Sequence, residues 1–99
     1  MSVVRVLRPA QAEIRAAGLW YESKRVGLGV DFLAVFDEAL SMIGKKPLAC
    51  PLWRKDREYR RKNLRRFPFS VFFTVSGDAV TIVAVAHQRR RPGYWIGRR

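Results

Sequence analysis

Two features of this 99-residue sequence are equipped to act on an anion: a crowd of guanidinium groups and a single imidazole beside some of them. The densest run is Arg54-Lys55-Asp56-Arg57-Glu58-Tyr59-Arg60-Arg61-Lys62, continued by Arg65-Arg66 and, further on, by Arg89-Arg90-Arg91. Arginine forks match the oxygens of carboxylates and phosphates, so Arg60, Arg61, Arg65, Arg66, Arg89, Arg90 and Arg91, with Trp95 beside the last run, are candidates for binding a target or a masking protein. His87 ends an apolar segment just before Gln88 and the last arginine run. It titrates near neutrality and is the first candidate for general acid-base work, with Tyr94 the second. Cleaving RNA without a metal needs a group to accept the 2′-hydroxyl proton, another to protonate the leaving oxygen, and cations for the phosphorane. His87 and Tyr94 are candidates for the first two roles, and Arg61 and Arg66, with Arg89 and Arg90, for the third. Plainer roles compete: a lone histidine at a strand end often just holds a hydrogen bond, and charges on an edge strand block sheet-to-sheet association.

Charge and composition narrow the classes further. The formal charge of +12 is unevenly spread, with net +2 over residues 1–53 and net +10 over residues 54–99. Such a segregated field concentrates polyanions, so nucleic acid, the ribosome, an anionic membrane surface or an acidic protein are the partners to consider. One cysteine, Cys50, and one histidine exclude an internal disulfide and a structural zinc site, and no metal or cofactor is expected. Gly27-Leu28-Gly29 lacks the preceding strand of a nucleotide fingerprint and reads as a turn. No Gly-x-Ser-x-Gly element or Cys/His pairing points to a covalent nucleophile. The N-terminus has no apolar stretch of signal-peptide length, and Ala79 to Ala86 is far short of a membrane span, so a cytoplasmic protein without membrane contact is expected.

The elements that must position these groups follow from periodicity. Val3, Val4, Val6 and Leu7 predict a first strand, and Pro9 suits the first turn of a following helix. Ala10, Ile14, Ala17 and Tyr21 share a helical face, Gly27-Leu28-Gly29 makes the turn, and Phe32, Val35, Phe36, Ala39, Leu40 and Ile43 mark a second amphipathic helix. Gly44, Pro47 and Pro51 open a loop to about Glu58. The period then changes to two: Tyr59 to Phe67 reads as a strand with arginines on both faces, Phe69 to Val75 as a second, and Val80 to Ala86 as a central strand apolar on both faces. Ser76-Gly77-Asp78-Ala79 turns between the last two. Trp20 is expected to pack beside the helix stripe, and Pro92-Gly93-Tyr94-Trp95 offers either a tail folded onto the domain or aromatics for stacking on bases. The order β-α-α-β-β-β predicts one α+β domain over residues 1–99. A helical hairpin would cover one face of a small, mostly antiparallel sheet and leave the arginine-bearing face open.

Trp20-Tyr21-Glu22, the Gly27-Leu28-Gly29 turn before Phe32, the Arg66-Phe67-Pro68-Phe69 junction and Ala84-Val85-Ala86-His87-Gln88-Arg89-Arg90 together resemble the RelE/ParE toxin family, over nearly the whole chain. The resemblance implies the toxin half of a type II toxin-antitoxin pair, neutralised by a co-encoded antitoxin with a flexible acidic or amphipathic tail. Carboxylates of that tail are expected opposite Arg60, Arg61, Arg65 and Arg66. RelE-like members cut messenger RNA on the ribosome, whereas ParE-like members poison DNA gyrase. His87-Gln88-Arg89 and the length of the helical hairpin resemble the ParE branch, from which Arg91-Pro92-Gly93-Tyr94-Trp95 departs. Gyrase is therefore the expected target, with a ribosome-dependent mRNA endonuclease as the alternative and a non-toxic, basic nucleic-acid-binding module as the second alternative.

Overall fold

The computed structural model describes residues 2–54 and 58–98. Its elements are β1 (Val3–Val6), α1 (Arg8–Lys24), α2 (Leu28–Lys45), a short 3-10 turn at Pro47–Ala49, β2 (Arg60–Asn63), β3 (Phe69–Ser76) and β4 (Ala79–His87). The sheet order is β1-β4-β3-β2, with β1 parallel to β4 and the other pairs antiparallel. The expected α+β order and the β2-β3-β4 meander are both present. The first of its strands is shorter than expected, because the chain leaves the ladder after Asn63 and turns through Leu64–Pro68. There Phe67 N–H donates to the Arg65 carbonyl (2.8 Å), and Arg66 takes a positive φ of 69°.

Two local devices build the helical hairpin. Gly27 enters α2 at φ 88°, and the Glu22 carboxylate accepts from the amides of Gly27 (2.9 Å) and Gly29 (3.0 Å), satisfying donors that a helix start leaves open. At Gly29 a Cβ would lie 2.4 Å from the Gly18 carbonyl oxygen, so the helices approach at a point where only hydrogen fits. Both apolar stripes then meet one face of the sheet. Phe32, Phe36 and Ile43 pack on Val71, Phe73, Val80, Ile82 and Val85, and Tyr21 and Phe32 join Phe67 and Phe69 in an aromatic cluster at one end.

The opposite face is not open, contrary to the sequence expectation. It carries a second core of Leu7, Tyr59, Phe72, Val83, Ala84, Ala86 and Trp95. β3 and β4 are apolar on both faces, and a bulge decides which β4 residues meet this core: Phe72 pairs with Ala84 and Phe73 with Ile82, so Val83 is an extra residue. Such a bulge resets the alternation, and β4 contributes apolar groups to both layers. The segment after β4 folds back over the second face, with Trp95 stacked on Phe72 (centroids 3.8 Å apart, planes at 23°) and Trp53 against its edge. Trp95 is 1% exposed. Trp20 reverses its own expectation: it is 57% exposed on α1, with the Lys24 ammonium 4.9 Å from its ring.

Glu13 of α1 fastens the tail. β1 ends where Leu7 N–H donates to the Ile82 carbonyl, so the rest of β4's edge has no strand beside it. Glu13 accepts from Val85 N–H (3.0 Å) and from the Arg98 guanidinium (3.0 Å), and Arg98 donates to the Val83 carbonyl (3.0 Å). The Tyr94 hydroxyl donates to the other Glu13 oxygen, and the Arg90 guanidinium lies 3.7 Å from that same atom. With Glu13 only 14% exposed, Glu13→Ala leaves the Val85 amide without an acceptor and the Arg98 guanidinium, 22% exposed, without its counter-ion. We expect a loss of about 2–4 kcal/mol in denaturant unfolding. Burial, reinforced by the Glu13 carboxylate, raises the Tyr94 pKa above its ordinary value. Stability is then complete below the unfolded tyrosine pKa of about 10 and falls above it, where the unfolded chain ionises while the native phenol holds its proton. Thermal melts of Tyr94→Phe at alkaline pH should show a shallower fall than the parent.

Candidate functional site

The arginines expected to share one surface divide into three groups. Arg60 serves the fold: its guanidinium donates to the Cys50 carbonyl (2.7 Å) and holds the loop after α2 against β2. Pro51 to Trp53 fold along the same strand, with Arg61 N–H donating to the Pro51 carbonyl (3.0 Å) and Leu52 bridged to Arg60. Arg65 and Arg66 lie on the helical side. Arg65 makes a two-pronged pair with Glu38 (2.9 and 3.0 Å), and Arg66 reaches Asp31 (3.2 Å), tying the β2-β3 turn to α2. The Arg65 pair lowers the Glu38 pKa through its hydrogen bond and raises that of Arg65. Lys55, Asp56 and Arg57 of the sequence cluster lie outside the described residues.

The third group surrounds a cavity of about 290 Å³ on the tail side of the sheet. Arg61 and Asn63 reach it from β2, Ser70 and Phe72 from β3, Ala86 and His87 from β4, and Arg90, Pro92 and Trp95 from the tail, with Trp53 at its rim. The register explains the meeting: Arg61 pairs with Phe72, Asn63 with Ser70, and Ser70 with Ala86, so their side chains share a face. His87 stands edge-on to Phe69, and its Nδ1 accepts from Arg89 N–H (3.0 Å). The neutral ring therefore carries its proton on Nε2. Among the described residues the Arg61 guanidinium has neither ion pair nor hydrogen bond, whereas Arg90 covers the Tyr94 ring at 3.7 Å and faces Glu13.

Of the four proposed catalytic residues, only Arg61 and His87 line this cavity. Tyr94 is bound to Glu13 on the far side of the tail, its proton held more tightly than usual by burial and by that carboxylate. Arg66 is on the helical face, with Asp31. Of the proposed binding residues, Arg61, Arg90 and Trp95 converge here, Arg89 and Arg91 are exposed on the tail, and Arg60, Arg65 and Arg66 are engaged inside the fold. Sequence reasoning missed Glu13, Asn63 and Ser70. Glu13 is the one acidic residue of α1 that its apolar face carries toward the sheet, next to Ile14, which is a readable signal. The Asn63-Ser70 pair depends on strand register and leaves none.

A second hollow, of about 490 Å³, lies between α2 and β2, lined by Met42, Ala49, Cys50 and Pro51 with Lys45, Lys46 and Lys62 around it. Burial raises the Cys50 thiol pKa, with Lys62 and Arg60 opposing the shift. Among the described residues no three His, Cys, Asp or Glu side chains converge to hold a metal ion. No helix is long and apolar enough to cross a membrane.

The fold has relatives of known structure. It is similar to a protein described as the chromosomal ParDE TA system from P. aeruginosa, with a TM-score of 0.65 and 19% sequence identity, over 88% of this chain and 96% of that one. No curated protein matches the sequence significantly. The family model described as the ParE toxin of the type II toxin-antitoxin system parDE matches residues 4–92, from β1 through the sheet and into the tail. With both helices, β2 to β4 and all but the first residue of β1 inside the matched span, the chain belongs to the ParE toxin family of type II toxin-antitoxin systems.

Proposed function

We propose that this toxin arrests growth by acting on DNA gyrase and does not cut messenger RNA. The observation that carries the reading is the capture of Tyr94 by Glu13: a cleft able to cleave RNA needs two proton-transfer groups at one phosphate, and only His87 is present. What the tail presents instead is cationic surface, Arg89 and Arg91, suited to an enzyme whose substrate is DNA. Inducing expression should give double-strand breaks and an SOS response, and the purified toxin should hold gyrase in its cleaved state. The competing endonuclease reading draws on His87 and Arg61 facing one cavity. It requires cuts within codons on primer extension of cellular messenger, and uncut transcripts alongside broken chromosomes would exclude it. A toxin that causes neither damage would leave the plain nucleic-acid-binding reading.

The family implies an antitoxin partner, and the hollow beside α2 suits its acidic, amphipathic segment. Met42, Ala49 and Pro51 offer an apolar floor, and Lys45, Lys46 and Lys62 offer charges not consumed within the fold. Of the arginines expected to meet antitoxin carboxylates, Arg60, Arg65 and Arg66 already have acceptors in the toxin, which favours the lysine-rimmed hollow as the docking place. The double variant Lys46→Glu, Lys62→Glu should bind the cognate antitoxin at least ~10-fold more weakly in titration calorimetry while melting at an unchanged temperature. Unchanged affinity would move the interface elsewhere.

A further inference from the structure

The cavity between β2, the end of β4 and the tail is furnished almost entirely with donors. The Asn63 amide oxygen is taken by the Ser70 hydroxyl (2.6 Å), which leaves the Asn63 NH₂ as a donor without a partner among the described residues. His87 Nδ1 is taken by the Arg89 amide, leaving Nε2–H. Arg61 brings a guanidinium without a counter-ion among the described residues, and Arg90 a second that shares Glu13 with Arg98. Trp95, nearly fully buried, has the one side-chain polar atom among the described residues that is both buried and unpartnered, its indole Nε1–H. No Asp or Glu lines the space.

Arg61, Asn63 and Arg90 are exposed and meet only water in this space, and among the described residues no carboxylate lining it competes for them or for the His87 Nε2–H, so an entering anion finds several donors at once. We propose that this cavity is an oxyanion site that holds, without cleaving, a phosphate group, the chemistry shared by a nucleic-acid backbone and a small phosphate ester. A carboxylate presents its two oxygens in one plane, a shape that a single arginine fork matches. Here the donors come from β2, from the end of β4 and from the tail, directions that suit the tetrahedral oxygens of phosphate. Trp53 and Pro92 at the rim supply apolar surface for an attached sugar or base. The inference goes beyond the gyrase reading and does not depend on it, since it concerns what the isolated toxin binds.

Nitrogen-15 NMR of the full chain tests it through the Trp95 indole N–H resonance, assigned with Trp20→Phe and Trp53→Phe. Inorganic phosphate and a 5′-phosphorylated dithymidine dinucleotide serve as probes, with glutamate and chloride at matched ionic strength as controls. The expected result is a saturable shift of the Trp95 indole and His87 ring signals with the phosphate probes alone. Tighter binding of the dinucleotide than of inorganic phosphate identifies the backbone as the source, and equal binding identifies the free phosphate group. Arg61→Gln should weaken binding at least ~10-fold, and Arg91→Gln, outside the cavity, less than about twofold. The proposal is overturned by shifts that do not saturate or by glutamate binding as well as phosphate, which would make this a carboxylate pocket. It is equally overturned if Arg91→Gln is as damaging as Arg61→Gln, the mark of diffuse attraction. Loss of gyrase poisoning with phosphate binding intact would count against the gyrase reading only.

Discussion

One carboxylate stands where a strand is missing. β1 leaves the sheet at Leu7 to become α1, and over its last five residues β4 has β3 on one side and no strand on the other. Its exposed edge would carry an unmet amide at Val85 and an unmet carbonyl at Val83. Glu13 and Arg98 supply an acceptor and a donor to those two groups and then pair with each other. Because Glu13 sits on the first helix and Arg98 at the far end of the tail, the same contact that completes the sheet also clamps the tail across its second face. Tyr94 and Arg90 join it, and Trp95 is thereby laid onto Phe72. The clamp and the burial of Trp95 against Phe72, Trp53 and Tyr59 together hold the cavity's tail-side wall.

The clamp also sorts the positive charge. In a chain of net +12 with eight acidic residues, each carboxylate decides which cations remain available. Glu38 and Asp31 take Arg65 and Arg66 to the helical side, and Glu13 takes Arg98 and part of Arg90. Arg61, exposed on β2, is left without a counter-ion among the described residues, a charge that water and salt screen but no carboxylate neutralises. The exposed pairs contribute little to stability, since water and salt weaken them; their role here is placement of the turn after β2.

Much of the architecture was legible in the sequence because it rests on period and punctuation. Phe32, Val35, Phe36, Ala39 and Ile43 repeat at helical spacing, Gly27 takes the positive φ expected of a turn, Phe69–Ser76 alternates as a strand does, and Val80 to Ala86 is the unbroken apolar run of a central strand. The site was half legible. Arg61, His87, Arg90 and Trp95 do meet, but an arginine's partner depends on which carboxylate lies across the fold, a property of tertiary contacts 27 to 35 residues apart for Arg65 and Arg66. The apolar character of both faces of Val80 to Ala86 was visible, whereas which residue meets which layer was not. A bulge at Val83 shifts the alternation by one residue, and no spacing rule announces it. Trp20 misled because a helix stripe predicts the buried arc and not where the sheet beneath it ends.

The Glu13-Arg98 contact joins residues separated by 85 positions. Hairpins such as β3-β4 and the α1-α2 pair close short loops and form early, whereas a contact of that span carries a large loop-closure entropy and forms late. Until it does, the outer surface of Phe72 and the unpaired half of β4 stand bare, an adhesive edge on a nascent chain. A companion polypeptide laid along that edge and face would shield both while the chain is still incomplete.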